Sequence, residues 1–189
     1  MDNLIKSWVW LLGFTLITFV SIAGCSKGQS NVEKGNKHGI LHWGNGTDPQ
    51  ELDPHIVTGV PEHHILSALL EGLVAKDPKT LQPIPAVAEE WSISTDKKTY
   101  VFKIRKSALW SNGDSLTAHD FVWSWWRALQ PKLGNQYAYM LFPIENSEGF
   151  ARGEITDFSR VGVKALSDNV LEVKLSNPTP YFLQLLDHY

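Results

Sequence analysis

A single cysteine, Cys25, occurs in 189 residues, so no disulfide can close within the chain. That excludes the small secreted scaffolds held together by paired cysteines. An excess of positive charge is missing as well: 17 Lys and Arg stand against 20 Asp and Glu, a formal net charge of −3. Such a chain has no field to gather a polyanion, which argues against nucleic acid as a partner. Catalytic signatures are absent too. There is no Gly-x-Ser-x-Gly, no phosphate-binding Gly-x-x-x-x-Gly-Lys loop and no His-Glu-x-x-His, the patterns that supply an exposed nucleophile, a phosphate cradle and a zinc pair. Gly44-Asn45-Gly46 lacks the third glycine of a dinucleotide fingerprint and reads as a loop. No enzyme activity, cofactor or metal is expected on these grounds.

What is present begins with eight Trp among 43% hydrophobic residues, a composition of globular type. The first segment is of another kind. Trp8 to Ile22 is an uncharged, mainly apolar run of 15 residues, shorter than the roughly 20 needed to cross a bilayer as a helix. It leads directly into Ile22-Ala23-Gly24-Cys25, which resembles the lipobox of bacterial lipoproteins. There a branched residue and two small ones enter a peptidase cleft, and the Cys sulfur takes a diacylglyceryl group. We therefore expect residues 1–24 to be a lipoprotein signal peptide and Cys25 to be lipidated. An uncleaved membrane anchor with a leftover thiol is the alternative. Residues 25–39, polar and nearly free of apolar side chains, are expected to be a flexible tether.

From Ile40 the composition turns globular. Ile40 to Trp43 is a short strand candidate. Pro61 to Leu70 reads as an amphipathic helix, with Pro in the first turn, apolar residues at 65, 66, 69 and 70, and Gly72 as the stop. Trp91–Ile93 and Thr99–Ile104 flank a turn and alternate in polarity, the pattern of a β-hairpin. Residues 162–166 and 170–175 make a second hairpin. Between them Thr117 and Asp120 form a capping-box start for a helix running to about Gln130, before Pro131. A last helix is expected over Tyr181–Asp187; its apolar residues 181, 182, 185 and 186 must pack on something, and the chain reads as cut there.

Several side chains invite a functional reading. His63 and His64 are adjacent, so on a helix they diverge by about 100° and cannot share a metal without other ligands. His119-Asp120 caps a helix and answers its dipole. Of Trp123, Trp125 and Trp126, at least two are expected to pack against the hairpin, with an aromatic wall for a ligand as the other possibility.

A family resemblance then becomes specific. Leu52-Asp53-Pro54, Gly59-Val60-Pro61-Glu62, Glu71-Gly72-Leu73, Pro85 to Trp91, Tyr100 to Arg127 (YVFKIRKSALWSNGDSLTAHDFVWSWWR) and Leu171 to Phe182 (LEVKLSNPTPYF) resemble the extracytoplasmic oligopeptide-binding proteins of ABC importers, the family 5 solute-binding proteins. The resemblance covers residues 40–189 and only the first third of a family member. It implies a mixed α/β chain that is part of a bilobal, periplasmic-binding-protein-like fold of type II, class C, with the first lobe only. Residues 40–70 would be the first segment of lobe I and residues 71–189 its smaller subdomain. It further implies an extended peptide held between lobes through its backbone, delivery to ABC permease subunits, a membrane tie through the lipid, and a monomer. Carried over residue by residue, Thr58, Gly59 and Val60 match the stretch whose backbone lines the peptide, Gly59 giving close approach. Tyr137 matches an aromatic that touches the ligand. Thr58 stands where relatives often have an acid. Same-fold binding of a dipeptide, a murein peptide or a nickel complex remains the alternative, with a lipid-anchored scaffold or a truncated enzyme as a further one.

Overall fold

The computed structural model of the chain describes residues 28–187. The expected signal peptide, residues 1–24, and the expected lipidation site Cys25 lie outside the described residues. Among those described, no helix is long and apolar enough to cross a membrane. The chain divides into two units, residues 1–44 and residues 45–189.

In the first unit, residues expected to be a loose tether form helix α1, Asn31–His38. Its start is fixed by a reciprocal cap: the Glu33 amide donates to Ser30 Oγ at 3.2 Å and the Ser30 amide to Glu33 Oε2 at 2.8 Å. Gly39 stops it in the left-handed conformation. Polar composition hid a helix whose two ends are both signalled. Ile40–Trp43, expected as a strand, is irregular and exposed. A strand needs an edge to pair with, and none pairs with it among the described residues.

The second unit is a mixed α/β structure. Helix α2, Val60–Leu69, precedes two three-residue strands, β1 (Val74–Lys76) and β2 (Pro83–Pro85), which pair antiparallel. Then come β3 (Ala88–Ile93), β4 (Thr99–Ile104), α3 (Ala118–Ala128), the short helix α4 (Ser147–Ala151), β5 (Val163–Ser167), β6 (Val170–Lys174) and α5 (Phe182–Leu185). Both expected hairpins are present, and they join into one four-stranded antiparallel sheet of order β3-β4-β6-β5. The register sets Tyr100 against Val173 and Phe102 against Leu171. Period-2 alternation therefore places these residues on one face, where they are buried with Ile104 and Val163.

Helix α3 packs against β5 and β6. Its entry is pinned twice. The Thr117 amide donates to Asp120 Oδ2 at 2.7 Å, and the Ala118 amide donates to the Asp168 carbonyl in the β5–β6 turn at 2.8 Å. Helix α5 lays Phe182 on Tyr100, ring centroids 5.0 Å apart, and buries Leu186. The apolar face of this last helix thus packs on the chain's own sheet, with Tyr181 left exposed. Gly162 shows how tightly β5 is docked: a Cβ there would stand 2.4 Å from the Lys174 carbonyl oxygen and 2.9 Å from Glu145 Cβ. Backbone approaches so closely only where there is no side chain.

Two expectations about apolar faces fail. In α2 only Leu66 of the four predicted apolar residues is buried; Leu69 and Leu70 face outward. Of the three tryptophans in α3 only Trp125 packs against the core. Trp123 and Trp126 are exposed and lean on each other, centroids 6.2 Å apart. A spacing of three puts them on one face, and that face is turned from the sheet.

Candidate functional site

The segment from Asp53 to Val60 is built as a tight turn followed by an extended stretch. The Asp53 carbonyl accepts from the amides of Ile56 and Val57, both at 3.1 Å, while its carboxylate Oδ1 accepts the His55 amide at 3.1 Å. Val57 then turns inward and is buried. Thr58 is exposed, Gly59 is extended at φ −88° and ψ 153°, and Val60 is 65% exposed at the first position of α2. The N–H groups of Thr58, Gly59 and Val60 donate to no acceptor among the described residues. Backbone donors of this kind take water or a ligand.

Gly59 has a neighbour that sequence reasoning missed. Glu62, buried in the first turn of α2, accepts the Gln50 amide through Oε1 at 2.8 Å. A Cβ on residue 59 would fall on Glu62 Oε2 and lie 3.0 Å from its Cδ. The space that glycine opens here is occupied by this carboxylate, so the close approach is made by the chain itself.

Helix α3 is the frame that brings the remaining pieces together. From its last turn, Arg127 makes a forked pair with Asp53, Nη1 to Oδ1 at 2.9 Å and Nη2 to Oδ2 at 2.5 Å. Two parallel bonds of this kind fix orientation as well as distance. Nη1 also donates to His55 Nδ1 at 2.8 Å, and His55 Nε2 lies 3.1 Å from Ser124 Oγ, one turn earlier on α3. An imidazole that accepts at Nδ1 carries its proton on Nε2, so Ser124 is the acceptor and His55 is neutral. Burial depresses the His55 pKa, the Arg127 charge depresses it further, and Asp53 opposes both. The Asp53 carboxyl is held below the usual range, chiefly by its hydrogen bond from Arg127.

Beyond the end of α3, Asn135 Nδ2 donates to the Ala128 carbonyl at 3.2 Å, and the Tyr137 amide donates to Asn135 Oδ1 at 2.8 Å. This loop carries the half-buried Tyr137 to the extended segment, where its hydroxyl makes a long contact, 3.5 Å, with the Thr58 carbonyl. The structure therefore brings Tyr137 to the Thr58–Val60 stretch from 79 residues away. His63 and His64 are exposed on α2, and no group of three metal-ligating side chains occurs among the described residues.

The arrangement is an exposed extended segment with unspent backbone donors and an aromatic beside it. Residues 82–189 match the family of bacterial extracellular solute-binding proteins, family 5, middle region, and the chain belongs to that family. It is 38% identical over 193 residues to the periplasmic oligopeptide-binding protein OppA of Salmonella typhimurium, covering all of this chain and 34% of that protein. It is 35% identical to the dipeptide-binding protein DppE of Bacillus subtilis over 189 residues, 95% of this chain and 34% of that one. The structure of Haemophilus influenzae OppA in complex with RPPGFSPFR superposes with a TM-score of 0.71 at 41% identity, over 76% of this chain and 28% of that one. The chain thus spans about a third of the length of the curated relatives it matches.

Proposed function

We propose that this chain forms part of the first lobe of a binding protein that captures oligopeptides outside the plasma membrane and delivers them to the permease of an ABC importer. The observation that carries the reading is the Thr58-Gly59-Val60 segment. It is extended, its N–H groups have no acceptor among the described residues, and Tyr137 stands next to it. A peptide laid along such a segment gains main-chain hydrogen bonds whatever its side chains, which gives low sequence selectivity. OppA relatives named for oligopeptides support this ligand class. DppE, named for dipeptides, favours a shorter ligand as the second reading. The role is one of binding and not catalysis, and the protein acts as a monomer.

Titration calorimetry on the natural polypeptide that carries these residues, with mixed tri- to pentapeptides, tests the ligand class. Tyr137→Ala should weaken peptide binding by about 1 kcal/mol or more, the typical contribution of a contacting aromatic. Thermal unfolding without ligand is the control. A variant that loses stability while keeping its affinity would make Tyr137 a packing residue and remove it from the site.

Within the same reading, residues 1–24 are a cleaved signal peptide and Cys25 carries the lipid that ties the protein to the membrane surface. The single cysteine in Ile22-Ala23-Gly24-Cys25 supports this, since each buried CH2 of an acyl chain contributes about 0.8 kcal/mol. Bacteria fed labelled palmitate should label the wild-type chain and not Cys25→Ala, which should leave the membrane on salt washing. Persistent label on the variant would refute acylation at Cys25; retention of both proteins without label would favour the uncleaved anchor.

A further inference from the structure

The segment proposed to line the peptide is held from one side by a group of side chains to which the family resemblance assigned no role. Asp53 and His55 belong to the turn immediately before Thr58, and Arg127 and Ser124 lie on α3. Arg127 spans the gap with three hydrogen bonds, two to Asp53 and one to His55. The helix that carries Arg127 also anchors the loop of Tyr137 through Asn135. Both walls of the candidate site therefore refer to one rigid element.

We propose that Arg127 and His55 are positioning residues for ligand binding: Arg127, accepted by a neutral His55, fixes the 53–58 turn against α3, and protonation of His55 releases the ligand-lining segment and weakens binding. This rests on the peptide-binding reading given above.

The chemistry of the contact gives the direction. Nδ1 of His55 receives the Arg127 N–H only while it keeps its lone pair. A proton on Nδ1 removes the acceptor and sets an imidazolium 2.8 Å from a guanidinium. Charged groups face the ring from two elements: Asp53 from its own turn, which attracts the imidazolium, and Arg127 from α3, which repels it. Ser124 is neutral and can accept from Nε2 in either state. Burial and the Arg127 charge together outweigh Asp53, so the neutral ring is the favoured partner of the closed network. A free histidine titrates near about 6.5. With the closed-state value lowered from there, acidification favours the open turn. Affinity is full above about pH 6.5 and declines as pH falls through the lowered value.

The test uses the natural polypeptide that carries these residues and alanine tri-, tetra- and pentapeptides, whose termini stay mostly charged at both pH 5 and pH 7. Calorimetric Kd values at the two pH values give a ratio for each protein. The wild type should bind at least about threefold more weakly at pH 5 than at pH 7. His55→Asn, which offers a neutral oxygen near the place of Nδ1, should bring that ratio close to one. Arg127→Gln removes the repulsion and leaves burial opposed by Asp53, so acidification should weaken binding clearly less than in the wild type. If His55→Asn proves unstable, the ratio in Arg127→Gln carries the test. A wild-type ratio near one, or variants that keep the wild-type ratio, overturns the positioning role while the peptide reading stands. No binding of any of these peptides by the wild type at pH 7 overturns both.

Discussion

Replacing Phe102 with Ala should lower the stability of the folded chain by about 3–5 kcal/mol, the range for deleting a buried aromatic from a core that cannot collapse around the hole. Phe102 is fully buried in β4, a central strand of the sheet, with a strand hydrogen-bonded on each side. Its ring lies 6.2 Å from that of Tyr100 and 6.4 Å from that of Trp91, and across the ladder it opposes Leu171, which is itself fully buried. These neighbours are held in the sheet ladder, so both the transfer energy and the cavity term apply. Chemical denaturation monitored by tryptophan fluorescence measures the loss. Trp123→Ala is the control: its indole is exposed and its removal should change stability by less than about 0.5 kcal/mol. Equal losses at the two positions would mean that the sheet face assigned as core is not the core.

That core was legible because its signal is local. Tyr100, Phe102 and Ile104 alternate over five residues, and a turn of polar residues precedes them; nothing distant is needed to see a hairpin. Helix α3 was legible for the same reason, through Thr117, Asp120 and Pro131. The missed pieces each lacked a strong local signal or carried one that was outvoted. Strand β2 consists of Pro-Ile-Pro, and proline argues against a strand unless it lies at an edge, which is where β2 lies. Helix α1 has a sound cap at Ser30 and Glu33, but its apolar content is so low that composition pointed to a tether. The outward Trp123 and Trp126 show the limit of periodicity: spacing tells which residues share a face and not which way the face points.

The candidate site divides in the same manner. Thr58 to Val60 could be matched as a stretch of sequence, and Tyr137 likewise, but their meeting depends on a chain reversal that no spacing rule contains. Asp53 and Arg127 are 74 residues apart, and each alone reads as a solvated surface charge. Only the fold shows that they form a forked pair. Glu62 is the opposite case. It stood in plain view in Gly59-Val60-Pro61-Glu62, and a capping reading of that segment, with an acid three residues after an extended glycine, would have placed its carboxylate over the helix start.

Under the proposed function, the largest effect should come from leaving residues 45–189 without a second lobe. Expressed as residues 45–189, the chain should bind peptides no better than about 1 mM, whereas a polypeptide that carries the proposed second lobe as well should reach micromolar affinity or better. The arithmetic is short. Three main-chain hydrogen bonds along Thr58–Val60 contribute about 1 kcal/mol each, and Tyr137 adds about 1–2 kcal/mol. Against this stands the loss of translational and rotational freedom, about 4–15 kcal/mol, before the peptide itself is ordered. A net of about −4 kcal/mol corresponds to a Kd of about 1 mM, and these residues do not exceed it. Under the proposed function the missing stabilisation comes from a second lobe closing on the peptide, and the chain spans only about a third of its curated relatives. Calorimetry with the same tri- to pentapeptides on both proteins decides between the two outcomes. Micromolar binding by residues 45–189 alone would show that the Thr58–Val60 segment and Tyr137 form a complete site, and closure would then be unnecessary for capture.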